Sequence, residues 1–325
     1  MNSELKPGSV LDGFRIVEAL GRGASSEVFL ALAPDGRRVV LKLPRDLEIA
    51  SPKSFDRFRR ELEIAHRLDH PGIHRSLDYR VDMSRPYLVM EYVDGETLAA
   101  VLERETRLSV DRAVEYAIQL CEAAACAHDH GVIHRDIKPQ NVLVSDGDRL
   151  VITDFGIALL DGARRLTWGR FGDRLGTPDY MSPEQIQGKR GDARSDVFAI
   201  GAVLFEMLTG RAPWRSDSQM DVLDMHLAAP VPAMAQFGVE VPETIEWIVR
   251  RCLRKLPDER YQSAAELGQD LGRWRTLEAG QIAMADEQAL RPAEEHLLLL
   301  VGGVCLGFLA FAALFVTASY LITHH

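Results

Sequence analysis

Four side chains in this chain of 325 residues stand at spacings that suit one reaction: Asp136, Lys138, Asn141 and Asp154. The first three share the run His134-Arg135-Asp136-Ile137-Lys138-Pro139-Gln140-Asn141, and the fourth opens Asp154-Phe155-Gly156. A carboxylate, a lysine and an amide at these offsets fit transfer of a phosphoryl group to a hydroxyl. Asp136 can accept the hydroxyl proton. Lys138 can balance charge on the group in flight. Asn141 can hold a magnesium ion, and Asp154 is the natural second metal ligand. Such a transfer has a loose transition state with charge spread over three oxygens, so positioning and cations carry the catalysis.

Two further features seek phosphate. Gly21-Arg22-Gly23-Ala24-Ser25-Ser26-Glu27-Val28 has the spacing of a nucleotide-binding glycine loop. A dinucleotide-binding loop leads from a strand into a helix. Here strand-like residues lie on both sides, so the loop caps a hairpin. Ser26 stands where a third glycine is usual. Lysine is scarce, at positions 6, 42, 53, 138, 189 and 255 only, and Lys42 closes the strand-like run Val39-Val40-Leu41-Lys42.

Together these runs resemble the protein kinases, and lysine two residues after Asp136 resembles the Ser/Thr-specific branch. The segment Gly176-Thr177-Pro178-Asp179-Tyr180-Met181-Ser182-Pro183-Glu184, the run Ser195-Asp196-Val197 and the run Asp258-Glu259-Arg260-Tyr261 extend the resemblance over residues ~12–275. Its flavour is that of the bacterial eukaryotic-like Ser/Thr kinases. The resemblance implies an α+β, two-lobed fold. A five-stranded antiparallel sheet with one major helix (about 12–94) would sit on a mainly helical lobe (about 95–275), with ATP and Mg²⁺, or Mn²⁺ in its place, in the cleft. It implies that residues 21–26 fold over the phosphates and that Lys42 contacts them with Glu61 as its partner. Val28, Val40 and Leu143 would sandwich adenine, Met90 would gate the pocket, and backbone groups of Glu91 and Val93 would bind the base. Thr177 would bridge to Asp136 and Lys138, Glu184 would pair with Arg260, and Asp196 would brace the catalytic loop. The expected activity is phosphorylation of Ser/Thr hydroxyls on protein substrates, with a protein phosphatase as counterpart. A pseudokinase scaffold is the rival from another class, and loss of Lys42, Asp136 or Asp154 would mark it. A small-molecule kinase is a second rival, disfavoured by the 176–184 platform.

Composition agrees with a globular core: 46% hydrophobic and 26% charged residues are ordinary values. A net charge of −10 argues against nucleic acid as the main partner. Cys121, Cys126, Cys252 and Cys305 show neither metal spacing nor a disulfide framework. His66 and His70 have helical spacing, but Pro71 follows directly, which reads as a helix end.

Hydrophobic patterning predicts strands over 14–20, 27–33, 38–43, 74–82 and 86–93, and a helix over 54–68. It also predicts a long helix over 110–130 and a small hairpin from 142–144 and 150–153. Residues 276–296 read as a polar juxtamembrane linker. Leu297–Ile322 carries no charge, and at ~1.5 Å per residue its ~39 Å exceed the ~30 Å hydrocarbon core, so one transmembrane helix is expected. That leaves residues 323–325 as a tail and places the kinase domain (1–275) on the cytoplasmic side of the inner membrane. Gly303 and Gly307 share a helix face, a spacing that suits a homodimer. Thr167 is the only hydroxyl-bearing side chain between Gly156 and Gly176, and Arg164, Arg165, Arg170 and Arg174 surround it. Its phosphate would pair with arginines, Arg135 among them, and autophosphorylation at Thr167 is expected to switch activity on.

Overall fold

The computed structural model describes residues 5–22, 26–44, 63, 66–80, 86–155 and 178–277. Helix 54–68, Glu61, Thr167, Thr177 and residues 278–325 lie wholly or mostly outside these. The chain divides into Met1–Thr276 and Leu277–His325, and every described strand and helix lies in the first unit.

Six strands form the N-terminal sheet: β1 (Val10–Leu11), β2 (Phe14–Arg22), β3 (Ser26–Leu32), β4 (Arg38–Pro44), β5 (Ser76–Arg80) and β6 (Tyr87–Glu91). All pairings are antiparallel, in the order β1-β2-β3-β4-β6-β5. The sheet thus has one strand more than the five read from sequence. A two-residue strand has no periodicity to reveal it, yet the turn before β2 carries the signal. Asp12 and Gly13 both take positive φ, 48° and 90°, as a tight turn between twisted strands requires. One face buries Ile16, Phe29, Ala31, Val39, Leu41, Tyr87 and Val89. The opposite face gathers Val40, Leu88 and Met90 with Val28, Tyr79 and Tyr92 against them. The alternation of Val39 and Leu41 with Val40 and Lys42 is the period-2 consequence of the strand.

A second sheet follows: β7 (Gly95–Thr97), β8 (Val142–Ser145) and β9 (Arg149–Ile152), in that order. The hairpin β8–β9 matches the sequence expectation, and β7 was not foreseen. Gly95 permits it: a Cβ there would lie 2.4 Å from the carbonyl oxygen of Val144, too close for any side chain.

The helical lobe contains α1 (Leu98–Glu105), α2 (Val110–Asp129), α3 (Pro183–Ile186), α4 (Ala193–Thr209), α5 (Gln219–Ala228), α6 (Glu243–Cys252) and α7 (Ala264–Gly272). Starts are marked by side-chain caps. Thr97, Ser109, Asp192, Ser218 and Ser263 each accept a backbone N–H of the first turn, satisfying donors the helix cannot. α4 ends at Gly210 in the left-handed conformation. It is apolar nearly all round, and almost every residue from Ser195 to Thr209 is buried, which makes it the central helix of the lobe. α2, α6 and α7 pack around it. Cys121 and Cys252 are buried free thiols in this core, and burial pushes both well above the usual thiol pKa. Among the described residues no helix is long and apolar enough to cross a membrane. Leu297–Ile322 falls outside them.

Candidate active site

β8 and β9 present two loops side by side. The loop before β8 carries Asp136, Lys138 and Asn141, and the loop after β9 carries Asp154. Lys138 Nζ donates to both Asp136 oxygens at 2.9 and 2.8 Å. Asn141 Nδ2 donates to Asp136 Oδ2 at 2.9 Å and to the Asp136 carbonyl at 2.8 Å. The Asp136 carboxylate is therefore fixed in orientation while its side chain stays 55% exposed to solvent. Oδ2 takes two donors and Oδ1 one, so Oδ1 has the larger remaining capacity for an incoming hydroxyl.

Lys42 on β4 forms an ion pair with Asp154 Oδ1, joining the two lobes. The Lys42 side chain is 3% exposed. Burial draws its pKa below the usual lysine value, against the pull of Asp154 and Asp136. Burial also works against charge on Asp154, but the Lys42 cation outweighs it and holds the carboxyl below its ordinary range.

The loops are braced from beneath. Asp196 on α4 accepts the backbone N–H of His134 at 2.8 Å and that of Arg135 at 2.7 Å, and the Nε2–H of His128 at 2.8 Å. His134 is fully buried. Its Nδ1 accepts the Asp136 N–H at 3.2 Å and its Nε2 donates to the Thr153 carbonyl at 2.7 Å. One imidazole thus ties the residue carrying the carboxylate to the residue preceding Asp154. Its ring stands edge-on to Phe155 at 4.7 Å. Arg135 and Asp154 both take positive φ, 65° and 74°, a conformation that persists only where the surroundings impose it.

Val28, Val40 and Met90 come together on the inner face of the first sheet. Leu143 lies on β8, opposite Thr97 and Val151. Glu91 is already engaged. Its N–H donates to the Arg75 carbonyl at 3.1 Å, and its carbonyl accepts His74 Nε2–H at 2.8 Å. One lone pair of that carbonyl remains for a base. Val93 is half-buried two residues on. Of the glycine loop, Gly21, Arg22, Ser26 and Val28 are described, and Gly23, Ala24 and Ser25 are not. Ser26 is buried and pairs with Pro44 across β3 and β4.

Glu184 and Arg260 form a bidentate pair, 2.9 Å for Oε1 to Nη1 and 2.8 Å for Oε2 to Nη2. Ser195 Oγ donates to the same carboxylate at 2.6 Å. Arg260 also donates to the carbonyls of Arg194, Arg254 and Lys255. His128, His74 and Gln185 received no role from the sequence. His74 and Gln185 act on backbone carbonyls and His128 on the Asp196 carboxylate, groups brought close only by folding. The role of His134 could have been suspected from its place two residues before Asp136.

Asn141 and Asp154 offer an amide oxygen and a carboxylate, hard donors suited to Mg²⁺. The Asn141 nitrogen is spent on Asp136, which leaves its oxygen for a cation. No group of three or more His, Cys, Asp or Glu forms a metal cluster among the described residues. A site of few protein ligands fits an ion that arrives with phosphate oxygens.

A protein kinase domain model matches residues 14–270. The chain belongs to the protein kinase domain family. It is similar to two bacterial Ser/Thr kinases. One is the serine/threonine-protein kinase PknB of Mycolicibacterium smegmatis, 39% identical over 273 residues, 82% of this chain and 43% of that protein. The other is a probable serine/threonine-protein kinase of Streptomyces coelicolor, 39% identical over 264 residues, 79% of this chain and 39% of that protein. The chain therefore spans less than half the length of these relatives. Among solved structures, the PknI kinase domain of Mycobacterium tuberculosis matches with TM-score 0.64 and 25% identity, covering 84% of this chain and all of that one. Rad53 1–466 in complex with AMP-PNP matches with TM-score 0.65 and 26% identity, covering 79% of this chain and 64% of that one.

Proposed function

We propose that this chain is a protein Ser/Thr kinase that transfers the γ-phosphoryl group of ATP to protein hydroxyls. The observation that carries the reading is the Asp136 carboxylate, oriented by Lys138 and Asn141 and left open to solvent. Asp136 Oδ1 accepts the proton of the attacking hydroxyl. Lys138, already beside it, offsets charge on the phosphoryl oxygens. Lys42 reaches from the other lobe toward the α- and β-phosphates, and Glu61 is its proposed partner. Asn141 and Asp154 are the residues that would hold Mg²⁺, or Mn²⁺, which when bound draws charge from the phosphate oxygens. Residues 21–26 cover the phosphates, and Val28, Val40, Leu143 and Met90 enclose the base with Glu91 and Val93. Lys42, Asp136 and Asp154 are all present, which disfavours the pseudokinase scaffold.

Thr167 phosphorylation is the proposed switch, with Arg135 among the arginines that receive the phosphate and Thr177 bridging to Asp136 and Lys138. Thr167→Ala is expected to lower peptide phosphorylation at least tenfold, the effect of losing charge-assisted pairs that order a loop. Undiminished activity in that variant would remove the switch.

Leu297–Ile322 is the proposed single span, with residues 1–296 on the cytoplasmic side and a protein phosphatase as the opposing enzyme. Gly303 and Gly307 form the proposed dimer face. Full-length chain in a bilayer is expected to crosslink as dimers, and Gly303→Leu with Gly307→Leu to remain monomeric. Monomers in both samples would discard the dimer.

A further inference from the structure

Arg135, the residue before Asp136, holds a left-handed backbone, with φ at 65°. A non-glycine residue pays for that conformation, and it lasts only when the groups on both sides are held. On one side the hold is Asp196, which takes the Arg135 N–H. On the other side it is Gln185 on α3, whose Nε2 donates to the Arg135 carbonyl at 2.8 Å. The same amide has a second duty. Its Oε1 accepts the Ser182 N–H at 3.0 Å and the Ser182 hydroxyl at 2.9 Å.

Ser182 closes the stretch Tyr180-Met181-Ser182, which is itself anchored. Tyr180 donates to Glu206 Oε2 at 2.6 Å, and the Met181 carbonyl accepts from His226 Nδ1 at 2.7 Å. Gln185 thus joins the segment after residue 177 to the backbone that aims Asp136. It does so with one planar group that uses its donor on one loop and its acceptor on the other.

We propose that Gln185 is a positioning residue for phosphoryl transfer, coupling the 180–182 stretch to the catalytic loop through the Arg135 carbonyl. The inference rests on the kinase reading above. It predicts an effect on turnover without an effect on nucleotide affinity, because Gln185 touches neither Lys42 nor Asp154.

Gln185→Glu in the full-length chain isolates the donor. The glutamate keeps the size and the acceptor for Ser182, but turns an oxygen on the Arg135 carbonyl. Loss of this hold is expected to lower kcat about 10- to 100-fold, the scale on which small misplacements of reacting groups act. KM for ATP stays within about twofold, by the absence of contact with the nucleotide residues. Ser182→Ala keeps the backbone N–H on Oε1 and is expected to cost less than Gln185→Glu. Melting temperature and ATP affinity are measured for each variant. An active wild type with Gln185→Glu at the same kcat would overturn this inference alone. So would a kcat loss matched by lost ATP affinity and a lowered melting temperature, since that marks a purely structural role. A wild type without transfer would overturn the kinase reading, and this inference with it.

Discussion

Asp136→Asn is expected to lower kcat for peptide phosphorylation about 10²–10⁴-fold, the range that general-base groups contribute. The substitution keeps the size of the side chain and removes its negative charge. Lys138 Nζ and Asn141 Nδ2 now converge on that carboxylate. An amide in its place offers one acceptor oxygen to both, and its NH₂ faces donors. Proton acceptance from the substrate is lost, and Lys138 loses the partner that orients it. Folding changes little, because the side chain is more than half exposed. ATP affinity is retained, since Lys42 and Asp154 are untouched. Turnover and nucleotide titration on the same sample separate these terms. More than a tenth of wild-type turnover would rule out Asp136 as the base.

Glu184→Ala is expected to destabilise the domain by about 3–5 kcal/mol, the cost of leaving one member of a buried ion pair alone. Arg260 is 1% exposed, and without Glu184 its charge keeps carbonyl oxygens and the face of the Phe198 ring, 4.9 Å away, but no anion among the described residues hydrogen-bonded to it. For a domain of this size the melting temperature falls by roughly 6–20 °C. The pair also sets a response to acid. Burial alone would raise the Glu184 carboxyl, but Arg260 and Ser195 overcome it and hold the pKa at about 2, from an ordinary value of 4.5. A carboxyl with a depressed folded pKa stabilises fully above its unfolded value. That stabilisation disappears as pH falls through the folded value. The shift corresponds to about 3 kcal/mol, present at pH 5 and above and drained between about pH 4.5 and 2. Denaturant unfolding across that window reads it. Glu184→Gln is expected to flatten the dependence, and an unchanged slope would show that other carboxyls carry it.

Much of the fold could be read because its signals are local. β3, β4 and β6 are built on short apolar runs (28–32, 39–41 and 87–90), and their ends fell within two residues of the pattern. α2 was legible from its apolar face and its stop near Gly131. β1 and β7 were not. Val10–Leu11 is too short for periodicity, and in Gly95-Glu96-Thr97 only Thr97 favours a strand, so its pairing with β8 is imposed by the approach of backbones.

The site divides in the same way. Asp136, Lys138 and Asn141 were legible because their chemistry sits in one contiguous run. Asp154 pairs with a lysine 112 positions away, and no local pattern encodes such a distance. His74, His128 and Gln185 escaped notice because a side chain that binds a distant carbonyl or carboxylate leaves no spacing rule. Glu61, Thr167 and Thr177 remain readings of the sequence.

Transfer of labelled γ-phosphate from ATP, by full-length wild type beside Asp136→Asn and followed by site mapping, tests the central claim most directly. The account predicts label on Ser or Thr of an added protein substrate and on Thr167, both absent from the variant. Equal label in wild type and variant, or none in wild type with Thr167 already phosphorylated, would contradict it.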